Sequence, residues 1–134
     1  MKRKALHLRT NTRTKRAIYV DEESLETILA YVGQDKRHKK KWDYIVNIIL
    51  ENLRNPDVFD KENINDKCKD VYAMKFFKGQ ENDRIYCKQV EHGTKKCLVI
   101  VASELHLKKK TQKNSKKEIT IIEKVATYEY EFEE

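Results

Sequence analysis

Leu107–Glu118 reads L-K-K-K-T-Q-K-N-S-K-K-E, and its place in the chain decides how the rest is assembled. An apolar run, Cys97 to Ala102, comes before it. A pattern with Ile119, Ile122, Val125 and Ala126 at helical spacing comes after it. Between Lys108 and Lys117 there are six lysines and no acid. The stretch reads as a cationic turn between a buried strand and a helix start, where backbone N–H groups also favour an anion. Ser115 followed by Glu118 fits a capping box. Taken alone, it fits a solvated lysine-rich turn as well as it fits an anion site.

The length of 134 residues predicts one domain with a modest core. The formal charge of +7 favours polyanionic partners such as nucleic acid. Charge is unevenly spread. Residues 1–16 carry seven Lys and Arg and no acid, and residues 129–134 carry four acids and no base. Residues 1–15 read as a basic arm, either disordered until it touches phosphate or simply solubilising, ahead of a single domain over 16–134. Cys68, Cys87 and Cys97 have no C-x-x-C spacing, so reduced thiols in the cytoplasm are expected. The four histidines and three cysteines show no ligand spacing, so neither a metal nor a cofactor is expected. No apolar stretch is long enough for a membrane span.

Arg16–Val20 (R-A-I-Y-V) predicts a strand. Asp21 is a candidate N-cap for a helix carrying Leu25, Ile28, Leu29 and Val32 and stopped by Gly33. A second helix is predicted from about Lys36 to Leu53, with Trp42, Ile45, Val46, Ile49, Leu50 and Leu53 on one stripe before Pro56. Residues 55–70 read as a polar connection. Strands follow at 71–78, 83–91 and 95–105, joined as two hairpins, and the last helix is predicted from Ser115 toward Phe132. The end of that helix, T-Y-E-Y-E-F, alternates like a strand.

Alternation across a sheet sorts side chains by face. Pairing Lys78 with Asp83 sets Lys75 opposite Tyr86. One face then carries Lys75, Phe77, Arg84, Tyr86 and Lys88, and the other Met74, Phe76, Ile85 and Cys87. The second face is the one for helices to cover. The first is cationic and interleaved with aromatics, a composition suited to phosphates and stacked bases.

These stretches together resemble the RelE/ParE toxin superfamily, and within it the HigB-like, phage-associated branch. L-E-T-I-L-A-Y-V and W-D-Y-I-V-N-I-I-L-E-N-L-R-N-P look like the family's helical hairpin. V-Y-A-M-K-F resembles its first meander strand and D-R-I-Y its second. L-K-K-K-T-Q-K-N-S-K-K-E-I is similar to its lysine loop. Ala73 stands where the family usually has Glu, Lys75 replaces Arg, Leu107 replaces Phe, and Ser115 replaces Pro. The resemblance implies an α+β fold: N-terminal strand, helical hairpin, three-stranded antiparallel meander and C-terminal helix, with the helices on one sheet face.

It also implies a function. Members of this branch are typically metal-independent endoribonucleases that cut mRNA on the ribosome and are held inactive by an antitoxin protein. Attack of a ribose 2′-OH on its phosphate needs charge stabilisation, a base and an acid. On this reading Arg84 grips the phosphate, Lys75 adds potential, and His106 and Tyr86 are the candidates for proton transfer. Lys88, Lys108, Lys109, Lys110, Thr111 and Lys113 would hold RNA and rRNA phosphates. Two alternatives remain: a ParE-like toxin that binds gyrase without nuclease chemistry, and a binding module without catalysis.

Overall fold

The computed structural model describes residues 2–62, 64–77, 82–92, 97–107 and 116–133. Along the chain come β1 (Arg3–Asn11), β2 (Arg16–Asp21), α1 (Leu25–Val32), α2 (Lys36–Leu50) and β3 (Phe59–Lys61). They are followed by β4 (Val71–Lys75), β5 (Arg84–His92), β6 (Cys97–His106), α3 (Lys116–Thr127) and β7 (Tyr130–Glu133). Among the described residues these three helices and one mixed sheet, ordered β3-β4-β5-β6-β2-β1-β7, make the protein α+β. β4, β5 and β6 are antiparallel neighbours, β2 runs parallel to β6, and β7 runs parallel to β1. The expected three-stranded meander therefore does not stand alone; it is one part of a seven-stranded sheet.

The helices form for the reasons their ends supply. Asp21 accepts the Glu23 N–H at 2.8 Å and starts a 3-10 turn that leads into α1. Asp35 accepts the His38 N–H at 2.8 Å and caps α2. Trp42, Ile45, Val46, Ile49 and Leu50 are buried along one stripe of α2. The helix ends at Leu50, short of the expected Leu53, because Asn52 takes a left-handed conformation with φ 56° that asparagine tolerates.

Both sheet faces are covered, which corrects the expectation of helices on one face only. On one side Ile18, Val20, Met74, Phe76, Ile85 and Ile100 pack with α1 and α2. On the other, Ala17, Tyr19, Ala73, Tyr86, Val99 and Val101 pack with Ile122 and Val125 of α3. The β4–β5 pairing is Lys75 with Arg84, two residues away from the expected register. A two-residue slip preserves parity, so the division of side chains between faces survives it. Phe77 is the exception. Its φ of 51° breaks the alternation, and its ring lies against His38 of α2 instead of beside Lys75.

The N-terminal residues read as a basic arm are, from Arg3 to Asn11, a strand paired with β2. Leu6 and Leu8 reach the core under α1 and α2, and Ala5 reaches the core under α3. The polar connection over 55–70 contains β3, which pairs with β4. The predicted last helix stops at Thr127, and its alternating end forms β7. Cys87 pairs with Ala102 and Cys97 with His92, so these two thiols do not oppose each other.

A buried polar network ties the two ends of the chain. Asp21, fully buried, accepts from Arg3 Nε at 2.6 Å and from the Tyr130 hydroxyl at 2.8 Å. Ser103 lies 2.7 Å from the same hydroxyl, and Ser24 donates to the Ser103 carbonyl at 2.6 Å. Burial pushes the Tyr130 phenol up, the Ser103 hydrogen bond opposes this, and Asp21 adds to the rise. A folded-state value above the unfolded one leaves its stabilisation intact below about pH 10; the contribution falls as pH rises further, because only the unfolded chain ionises. Urea midpoints measured from neutral pH to about pH 11 are expected to drop above about pH 10, and less steeply in Tyr130→Phe. Parallel profiles for the two proteins contradict this assignment.

Candidate phosphate site

Sheet register brings three of the expected catalytic residues into one row. Lys75 pairs with Arg84 across β4 and β5, and Arg84 pairs with His106 across β5 and β6. The row lies at the end of the sheet where β6 gives way to the lysine-rich segment. Lys108, Lys109, Lys110, Thr111 and Lys113 of that segment lie outside the described residues, as does Ser115. Both flanks of the segment are defined. Leu107, exposed, follows His106 directly, and α3 begins at Lys116.

Arg84 is the best-defined group in the row. Its Nη1 donates to Glu62 Oε1 at 2.7 Å, and the two side chains are 18% and 9% exposed. Its Nε is buried and has no hydrogen-bond partner among the described residues. A buried N–H left unmade costs about 1–3 kcal/mol, so such a group invites a functional explanation. Glu62 thus fixes one edge of the guanidinium and leaves another unsatisfied. Guanidinium in that state matches an oxyanion well, since it offers parallel donors in a rigid plane.

The other expected residues divide. Lys75 Nζ donates to the Pro56 carbonyl at 3.2 Å, on the segment that leads into β3. The His106 ring stacks loosely on Tyr86, with centroids 6.4 Å apart. Tyr86, expected as a proton carrier, lies in the interior. It is fully buried under α3, and its hydroxyl donates to Glu118 Oε2 at 2.9 Å. Burial, then the Glu118 charge and hydrogen bond, raise its phenol far above the usual range. Tyr86 therefore contacts both α3 and His106. Lys88, expected to bind phosphate, is engaged by α3. Its Nζ donates to the Ala126 carbonyl at 2.5 Å, where a cation satisfies the C-terminal turn of α3.

Glu62 and Glu118 are the contributors that the sequence did not single out. Glu62 sits in a polar run, K-E-N-I-N-D, with no periodicity to mark it. Glu118 was visible only as a capping residue, yet it is buried and receives the Tyr86 hydroxyl. Cys87 is fully buried, and burial pushes its thiol up, so it supplies no thiolate nucleophile. Among the described residues no cluster of His, Cys, Asp and Glu has metal-holding geometry, and no helix is long and apolar enough to cross a membrane. Comparison with family models, curated proteins and solved structures gave no match.

The Arg84–Glu62 pair is nearly buried, so removing one partner is costly. Glu62→Ala is expected to destabilise the fold by about 3 kcal/mol in urea unfolding. Glu62→Ala/Arg84→Ala is expected to cost less than the sum of the single changes, because it removes the stranded charge too. Strict additivity in the double-mutant cycle contradicts the coupling.

Proposed function

We propose that this chain is a toxin of RelE/ParE type, a metal-independent endoribonuclease that cuts mRNA on the ribosome and is neutralised by an antitoxin protein. The observation that carries the reading is the buried Arg84 Nε, without a hydrogen-bond partner among the described residues, in the row with Lys75 and His106. The sequence likeness of the lysine-rich segment supports it.

In the proposed reaction Arg84 grips a non-bridging phosphate oxygen and Lys75 adds positive potential. The ribose 2′-oxygen forms a bond to phosphorus as the bond to the 5′-oxygen breaks. The products are a 2′,3′-cyclic phosphate and a 5′-hydroxyl, with no oxidant or water consumed. His106 is the proton carrier of the row, taking the 2′-hydroxyl proton and passing a proton to the leaving 5′-oxygen. Preorganised charge at the developing dianion supplies the largest part of the acceleration. The cytoplasm, where mRNA is translated, is the expected site of action.

A non-catalytic binding module is the second reading, and the burial of Tyr86 favours it by removing one of two proton carriers. Induced expression in growing bacteria separates the readings. Translation arrest with mRNA cut within ribosome-bound codons is the expected result. Arg84→Ala is expected to relieve it, lowering the cleavage rate by about 2 kcal/mol or more, roughly 30-fold. His106→Ala is expected to slow cleavage while RNA affinity stays within about threefold. Unimpaired growth with wild type favours the binding module, and replication arrest favours a gyrase poison.

A further inference from the structure

We propose that the stripe Lys36, Arg37, Lys40, Lys41 and Tyr44 on α2 is a second RNA surface, holding the backbone of a single strand and stacking a base on Tyr44. The spacing places these side chains along one helical face. With Phe77 they line an open concavity of about 500 Å³, and no carboxylate lines it. Lys36, Lys40 and Lys41 have no ion-pair partner among the described residues. Lys39, on the neighbouring face, pairs with Asp43 at 3.1 Å.

Two features argue against ordinary surface decoration. Lys36, Arg37, Lys39, Lys40 and Lys41 crowd the start of α2, whose first turn has no acid. Cations there oppose the helix dipole, a local cost that no ion pair among the described residues offsets for Lys36 and Lys40. The backbone N–H groups are not the site, since Asp35 already takes the His38 N–H. The second feature is aromatic. The left-handed Phe77 turns its ring toward α2, and the Arg37 guanidinium lies 3.5 Å above that ring's centroid. Tyr44 is 45% exposed. Cations interleaved with aromatic rings, Arg37 over Phe77 and Lys41 5.8 Å from the Tyr44 centroid, suit bases and phosphates of a single strand better than an acidic peptide, which has no ring to stack.

Phe77 follows Lys75 by two residues, so this surface and the Lys75–Arg84–His106 row share one end of the sheet. The proposal goes beyond cleavage and stands without it. The test measures binding of the full chain to a labelled 2′-O-methyl RNA of about twelve nucleotides, which cannot be cut. Lys40→Ala/Lys41→Ala is expected to weaken binding about tenfold and to flatten the log–log salt slope by about 1.4. Lys67→Ala/Lys69→Ala, the same charge change on another exposed surface, is expected to stay within about twofold. Tyr44→Ala is expected to weaken binding and Tyr44→Phe to keep it. Equal losses in the two lysine pairs overturn the proposal, and so does a polyglutamate peptide that displaces the RNA at equal concentration. Loss of binding in Arg84→Ala with none in Lys40→Ala/Lys41→Ala also overturns it. Failure of the cleavage reading shows separately, as wild-type protein that binds this RNA but leaves mRNA whole.

Discussion

Glu62 holds the Arg84 guanidinium by one nitrogen and leaves the buried Nε unmatched. The arrangement is possible because both faces of the sheet are closed. α1 and α2 seal one and α3 seals the other, so a cation on β5 has little choice of partner. A fully solvated arginine would need no carboxylate to orient it, and a fully buried one could not exchange ligands. At 18% exposure Arg84 sits between those limits. Its neighbours in the sheet, Lys75 and His106, inherit the same position by register.

The division of labour along β5 follows from α3. Where α3 covers the strand, the residues serve packing: Tyr86 reaches Glu118 and Lys88 reaches the Ala126 carbonyl. Beyond that cover, Arg84 is left at the end of the sheet. The same helix is the far flank of the lysine-rich segment, while His106 adjoins the near flank. Tyr86 meets both, by a hydrogen bond to Glu118 and by ring contact with His106. One buried tyrosine therefore links the two flanks of the segment whose sequence first drew attention.

Much of the fold was legible. The stripe from Trp42 to Leu50 and the cap at Asp21 are local signals, and local physics decides them. The parity of β4 and β5 was legible even though their register was not, because a slip of two leaves faces unchanged. Coverage by α3 was not legible, since Ile122 and Val125 say that a helix is half-buried and not which face it meets. β1 was missed because Ala5, Leu6 and Leu8 are few apolar residues among basic ones, and their strand exists through pairing with β2. β7 shows its alternation plainly, yet its partner lies at the opposite end of the chain. At the site, Lys75 and Arg84 were legible as residues of one face by parity, but the β5–β6 register that sets His106 beside Arg84 was not. Glu62 was not, because a single ion pair between distant residues leaves no periodic trace.

The most direct measurement follows the Arg84 Nε–H by nitrogen–proton NMR, assigned with Arg84→Lys, while a non-cleavable 2′-O-methyl oligonucleotide is added. A phosphate taken up at that nitrogen moves the signal downfield and slows its exchange with water, as expected for a new charge-assisted hydrogen bond. A signal that stays in place at saturation, while resonances elsewhere in the chain shift, contradicts the account.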